Sequence, residues 1–254
     1  MPSTNSETLY GRHCCVAALA NHKRQILHIN LTENALQWLQ SHLGWSMIAH
    51  HFENDDNYCV LGSKMIGKLL GDDSVHQGIV LFAKPLAQLD FKEFLHSNAP
   101  KRLVVLDQVT DPQNIGNMMR SCAMFAVDAI IVGAHHGPRF TPALAKVAQG
   151  AWEQIPMITV TNLARAITDM KKHEFWCLGL DTHGNETLQN FVAPARCAII
   201  VGAEGTGLRR QTRDLCDFLV KITMPGAGMF LESLNITNAT SILLHHITNQ
   251  ENNI

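Results

Sequence analysis

The sequence predicts an α/β protein in which a parallel sheet, covered by helices on both faces, occupies the chain after Pro100 and a smaller α/β unit precedes it. After residue 100, short and almost continuous apolar runs alternate with helical segments, the pattern of strands buried on both faces of a parallel sheet. The polar and glycine-rich segments fall where those strands end, which is where open α/β sheets bind ligands. With 254 residues, 46% of them hydrophobic, the chain is long enough for two cores.

From Leu9 to about Leu86 the pattern is mixed. A helical stretch covers 13–20, a short apolar strand 25–29, a helix 33–43, a helix or turn 63–70 and a strand 78–83. Residues 84–100 carry prolines near both ends and an amphipathic middle (Leu89, Phe91, Phe94, Leu95), and read as a linker with one docking turn or short helix. The expected limits are therefore a small unit at 1–84, a linker at 85–100 and the main domain at 101–254. In the main domain, strands are expected at 102–106, 129–132, 156–160, 175–180, 198–201 and 219–222, with a helix at 115–125. The spacing of Ile236, Ala239, Ile242, Leu243 and Ile247 adds a terminal amphipathic helix.

Composition excludes several classes. The net charge of -2 and pI near 6.7 give no global basic excess, so any nucleic-acid contact has to come from local patches. Seven cysteines form no CxxC pair, and the fourteen histidines are scattered, so no metal is expected. The segment MPSTNSETLYGRH has no apolar core of signal-peptide length, and no run reaches the roughly 18 apolar residues of a membrane span. The expectation is a reduced, cytoplasmic protein with no membrane and no DNA partner.

Three segments carry chemistry. In 106–132, Asp111-Pro112 breaks the chain after a strand, Asn114 can cap a helix beginning near Ile115, and Gly116 permits close approach. Arg120 projects further along that helix. Alone, this equally describes a plain cap and a surface arginine. In 198–217, Gly202, Glu204, Gly205 and Gly207 form a strand-to-helix turn whose amides can approach a ligand. The glycine spacing is wrong for a dinucleotide fingerprint, and no acid ends the next strand to hold a ribose. Arg209, Arg210 and Arg213 make a ridge that suits phosphates or a solvated helix face. In 222–247, a glycine and proline loop leads into Ser233-Leu234-Asn235, which is either a helix cap or a polar site facing the same crevice.

Together, Asp111-Pro-x-Asn114-x-Gly116-x-x-x-Arg120, Gly202-x-Glu204-x-x-Gly207-Leu208 and Ser233-Leu234-Asn235 resemble, in order and spacing, the three motifs of the SpoU (TrmH-like) branch of the SPOUT methyltransferases. Tyr10-Gly11-Arg12-His13, Val16-x-Ala18-Leu19 and His76-Gln77-Gly78-Ile79 resemble the RNA-substrate-binding domain of its rRNA-directed members, closest to the 23S rRNA guanosine-2′-O-methyltransferase type. The resemblance implies a C-terminal trefoil knot, a homodimer with the active site completed across the interface, and transfer of a methyl from S-adenosylmethionine to an RNA ribose 2′-hydroxyl. S-adenosylhomocysteine is the product and no metal is needed. It implies cofactor contacts at Gly202, Ile222 and Leu234, with Val201 and Met224 beside them, and catalytic or orienting roles for Asn114, Arg120, Glu204, Ser233 and Asn235. Glu204 would fix the Arg120 guanidinium. Tyr10, Arg12, His13, Arg209 and Arg210 are the expected RNA contacts. The same reaction on tRNA and an RNA binder without turnover are the alternatives. Two departures from the family pattern stand out: Asn235-Ile-Thr-Asn-Ala-Thr replaces a more apolar run, and the loop 226–232, with Met229 and Phe230, is longer than usual.

Overall fold

The computed structural model describes residues 6–42, 44–71, 74–97, 101–135, 137–228 and 233–252. The elements are, in chain order, β1 (Glu7–Tyr10), α1 (Arg12–Ala20), β2 (Ile26–Leu31), α2 (Glu33–Ser41), α3 (Trp45–Ile48), β3 (Tyr58–Val60), α4 (Ser63–Leu70) and β4 (Ile79–Ala83). They continue with α5 (Phe91–His96), β5 (Arg102–Asp107), α6 (Pro112–Met124), β6 (Ala129–Gly133), α7 (Pro142–Ala148), α8 (Ala151–Gln154), β7 (Met157–Val160) and α9 (Leu163–Lys172). The last are β8 (Trp176–Leu180), β9 (Glu186–Thr187), β10 (Cys197–Gly202), α10 (Arg210–Leu215), β11 (Phe218–Lys221) and α11 (Ile236–Asn252). Two compact units result: Met1–Ala87 with Phe140–Gln154, and Gln88–Arg139 with Ile155–Ile254.

In the first unit a sheet of order β1-β4-β2-β3 pairs antiparallel except between β2 and β3. Leu9, Ile29, Leu31, Ile79 and Leu81 of this sheet and Leu39 of α2 are among the side chains that form the core. The sequence reading found no strand at β1 or β3, which are too short for a two-residue alternation to stand out. Residues 140–154, counted by sequence with the main domain, cluster here. A buried ion cluster accounts for that: Arg24 Nη2 meets Glu153 Oε1 at 2.6 Å, and Nη1 meets Glu7 Oε2 at 2.6 Å and donates to the Lys84 carbonyl at 2.8 Å. The Arg24 side chain is fully buried, so its charge requires partners of this kind.

The second unit carries the expected parallel sheet, of order β7-β6-β5-β10-β8-β11-β9, with every adjacent pair parallel. Leu103, Val105, Ile131, Ile158, Ile167 and Ile200 lie in its core. Helix α6 begins at Pro112 rather than near Ile115. Asp111, not Asn114, caps it by accepting the Asn114 N–H at 3.0 Å. Aspartate is a strong N-cap and proline suits the first helical position, where no N–H is needed. Helix α11 packs on α6, with Ser121 and Ser241 hydroxyls 2.7 Å apart. Among the described residues no helix is long and apolar enough to cross a membrane.

Candidate active site

The marked polar groups gather at the carboxyl ends of the central strands of the second unit. Gly202, the last residue of β10, sits in register with Asp107, the last of β5. The chain then turns back, closed by a bond of 2.9 Å from the Gly207 N–H to the Ala203 carbonyl. Gly205 (φ 83°) and Gly207 (φ 66°) take the left-handed backbone this turn requires. Gly202 is needed for space: a Cβ there would lie 2.2 Å from the Gly207 carbonyl carbon.

A cavity of about 560 Å³ opens beside the turn, within the range of about 300–1,000 Å³ usual for small-molecule sites. Residues 201–207 line it, with 180–183 after β8, Val220, Ile222 and Met224 along and after β11, and 233–236 at the start of α11. All five residues expected to hold a cofactor, Val201, Gly202, Ile222, Met224 and Leu234, are in this lining.

Asn235 joins the polar set. Its Nδ2 donates to Asn114 Oδ1 at 2.9 Å and to Glu204 Oε1 at 2.7 Å, while its Oδ1 accepts from the Thr237 N–H at 2.8 Å and so caps α11. Because Asp111 takes the cap of α6, the Asn114 side chain is available to Asn235. Thr237 Oγ1 also donates to the Asn114 carbonyl at 3.2 Å, so one departure from the family's apolar run has a defined task. Each of the three sequence segments thus supplies one member of a single hydrogen-bonded cluster. Ser233 lines the cavity and is exposed.

Arg120 lies on the exposed side of α6, with no hydrogen bond or ion pair among the described residues. The expected Glu204–Arg120 pairing is absent among them; Glu204 Oε1 accepts from Asn235 instead. Arg209 neutralises fully buried Asp107, with Nε to Oδ1 at 2.6 Å and its N–H to Oδ2 at 3.2 Å. The Arg210 side chain is 96% exposed and lies 3.9 Å from Asp214. In the first unit Tyr10 is half-buried with Lys146 Nζ 5.1 Å from its ring centroid, Arg12 stacks over Trp38 at 4.8 Å, and His13 meets the same Trp38 edge-on.

Asp181–His183, which no motif in the sequence marks, also line the cavity, and Asp181 pairs with Arg213 at 2.5 Å. The sequence signal for them is their position directly after an expected strand. Burial pushes the Cys177 and Cys216 thiols up to about 12, so neither offers a thiolate nucleophile at neutral pH. Among the described residues no group of three His, Cys, Asp or Glu side chains could hold a metal ion. The residues of the loop from Met229 to Glu232 lie outside the described ones.

The SpoU rRNA Methylase family matches residues 101–245, a span that holds every member of this cluster. The chain belongs to the SpoU family. It is 34% identical to the 23S rRNA (guanosine-2′-O-)-methyltransferase RlmB of Pasteurella multocida (strain Pm70), over 96% of this chain and 98% of that one. To the enzyme of the same name from Escherichia coli (strain K12) it is 32% identical, over 96% and 99%. Among solved structures, the SpoU methyltransferase AviRb from Streptomyces viridochromogenes in complex with AdoMet superposes with a TM-score of 0.77 at 18% identity, covering 97% of this chain and 91% of that one. At that identity the likeness shows a shared SpoU fold.

Proposed function

We propose that the chain transfers the methyl group of S-adenosylmethionine to the ribose 2′-hydroxyl of a guanosine in 23S rRNA. The observation that carries this reading is the Asn235 side chain bridging Asn114 and Glu204 at the edge of a cavity walled by the glycine turn. That turn suits the cofactor. Gly202 leaves backbone uncovered, Val201, Ile222 and Leu234 offer apolar surface to an adenine, and polar groups of Ser233 and the 203–207 turn stand beside them. When bound, the cofactor supplies an electrophilic methyl on a positively charged sulfur.

The chain's own residues have to align the hydroxyl, accept its proton and tolerate the developing alkoxide. Asn235, held by two acceptors and its own helix cap, fixes the Glu204 carboxylate through Oε1 and leaves Oε2 to orient the ribose. A guanidinium makes a poor base, so Arg120 is not the proton acceptor. Its guanidinium, exposed on α6, suits the neighbouring phosphate and the alkoxide instead.

The first unit, with Tyr10, Arg12 and His13, is the rRNA-binding part, and exposed Arg210, with the part of the Arg209 guanidinium not held by Asp107, meets rRNA phosphates at the catalytic end. The working protein is a cytoplasmic homodimer. Arg120, without a partner among the described residues, and exposed Met124 on α6 and Ile242 on α11 support an interface that completes the site. The C-terminal part is a trefoil knot, a reading supported by β10 lying between β5 and β8, both of which precede it. The test is transfer of labelled methyl to unmodified 23S rRNA and to tRNA by the native protein, Asn114→Ala and Arg120→Ala. The reading expects label in rRNA as 2′-O-methylguanosine, lost in both variants. Label confined to tRNA, or retained in both variants, overturns it.

A further inference from the structure

The first unit holds a cleft of about 630 Å³ that none of the methyl-transfer residues lines. Arg12, Glu33, Asn34, Ser63 and Gln77 line it. Three helices begin at its rim: α1 at Arg12, α2 at Glu33 and α4 at Ser63. Glycines at the N-caps of α1 and α4 supply no side-chain cap; the Arg12 N–H is taken by Gln77, and the other early amides add to the positive ends of the helix dipoles at this rim.

A second feature of the cleft points to a ligand. The Arg12 Nε is buried and has no hydrogen-bond partner among the described residues, a rare condition for a buried donor. Stacking on Trp38 at 4.8 Å limits how the guanidinium can relieve this by swinging away. The Arg12 N–H also donates to Gln77 Oε1 at 3.0 Å, and Gln77 holds a left-handed φ of 54° that a non-glycine residue seldom adopts. Strained backbone of this kind persists where surroundings impose it, often at binding sites.

We propose that this cleft takes one unpaired nucleotide of the RNA. Its phosphate is met by Arg12 and the amide ends of α1 and α4, and its base edge by Glu33, Asn34 and Gln77. A phosphate alone gives Glu33 nothing to bind, whereas the N–H groups of a base give its carboxylate donors. Proteins read RNA sequence mainly through unpaired nucleotides splayed out of the helix, and a cleft of this volume suits one such nucleotide. The inference rests on the reading that the chain acts on rRNA.

The experiment is filter binding of the full chain to unmodified 23S rRNA transcript, without cofactor, for the native protein, Arg12→Ala, Asn34→Ala, Ser63→Glu and, as a control, Arg165→Ala at an exposed position of α9. Ser63→Glu separates ligand from fold, because a carboxylate at a helix start stabilises the helix yet repels a phosphate. The expected result is rRNA binding weakened roughly tenfold or more by Arg12→Ala and Ser63→Glu, less by Asn34→Ala, and unchanged by Arg165→Ala. Unstructured RNA oligonucleotide, and not duplex RNA, should compete with the transcript. If Arg12→Ala lowers the melting temperature, Ser63→Glu decides. A native chain that methylates rRNA while Arg12→Ala and Ser63→Glu bind it equally well overturns the cleft and leaves the methyl-transfer reading standing. A native chain that binds no rRNA overturns both.

Discussion

Asn235 donates to Asn114 at 2.9 Å across 121 positions of sequence and thereby ties the start of α11 to the first turn of α6. Removing that amide has two separable effects. Asn235→Ala loses the α11 cap, worth about 1 kcal/mol, and leaves the buried Asn114 acceptor unpaired, at about 1–3 kcal/mol. A fall in melting temperature of roughly 5–10 °C is expected, read by calorimetry. Asn235→Asp can keep the cap but sets a carboxylate against Glu204. It should melt closer to the native protein, yet transfer methyl about a hundredfold more slowly, a loss typical of one misplaced polar group in an active site. Native turnover in Asn235→Asp would remove this amide from the mechanism.

Arg120 supports nothing in its own chain among the described residues, so Arg120→Ala should leave thermal stability within about 0.5 kcal/mol of native. Methyl transfer should nevertheless drop by about a hundredfold or more. Calorimetry and turnover on one preparation test both halves, and a large stability loss with intact turnover would contradict them.

The glycines of the turn should rank by mechanism. In Gly202→Ala the new methyl meets backbone at 2.2 Å, so the turn has to move and cofactor binding should disappear in titration calorimetry. In Gly205→Ala nothing lies within 4 Å of the new Cβ, and only the left-handed backbone penalty of about 1–2 kcal/mol remains. Equal effects at the two positions would refute the argument from close approach.

Burial holds the Glu7 carboxyl above its ordinary value of 4.5, against the pull of Arg24. The folded chain then binds this proton more tightly than the unfolded one. The stability contributed by this group is therefore greatest below the unfolded pKa and declines as pH rises through the folded one. Glu7→Gln abolishes the titration, so native minus variant stability should fall from about pH 4.5 upward. Denaturant melts across that range check the sign, and a difference that rises with pH contradicts it. Arg24→Met, which leaves two carboxylates facing each other without their cation, should cost about 3–5 kcal/mol.

Seven free cysteines should divide by accessibility. Burial raises the thiols of Cys14, Cys122, Cys177 and Cys216 to about 12 and that of Cys15 well above its ordinary value; Cys197 is buried, and Cys59 alone is exposed. Iodoacetamide at pH 8 should label Cys59 in the native protein and reach the others after denaturation. Mass spectrometry of digested protein reads the result, and early labelling of Cys177 would mean that the core of the second unit opens.

Most of the site was legible because its residues sit at strand ends, where polarity contrasts with apolar runs such as Ala198–Val201. Asn114, Glu204 and Asn235 were each visible as oddities of type and spacing. Their mutual bonding was not visible, because it depends on Asp111 taking the cap that Asn114 was expected to take. Arg209 was read as a phosphate contact, and its pairing with Asp107 depends on the register that sets β10 beside β5. The membership of residues 140–154 in the first unit turns on one buried guanidinium, Arg24, whose partners lie far apart in sequence. Periodicity reports which face a residue turns inward and is silent on what it meets there.

The insertion of β10 between β5 and β8 also sets a timetable for synthesis. A chain leaving the ribosome N-terminus first completes β5 and β8 well before residue 202 exists, and each β5–β10 pair joins positions about 95 apart. During that interval β5 keeps one open edge and β8 has neither of its neighbours, since β10 and β11 both follow it. Pairing over such separations is slow, and open apolar edges invite association with other chains. Yield of soluble protein should therefore depend on how quickly the last quarter of the chain is made, and rare codons placed between β8 and β10 should lower it more than the same codons within α11.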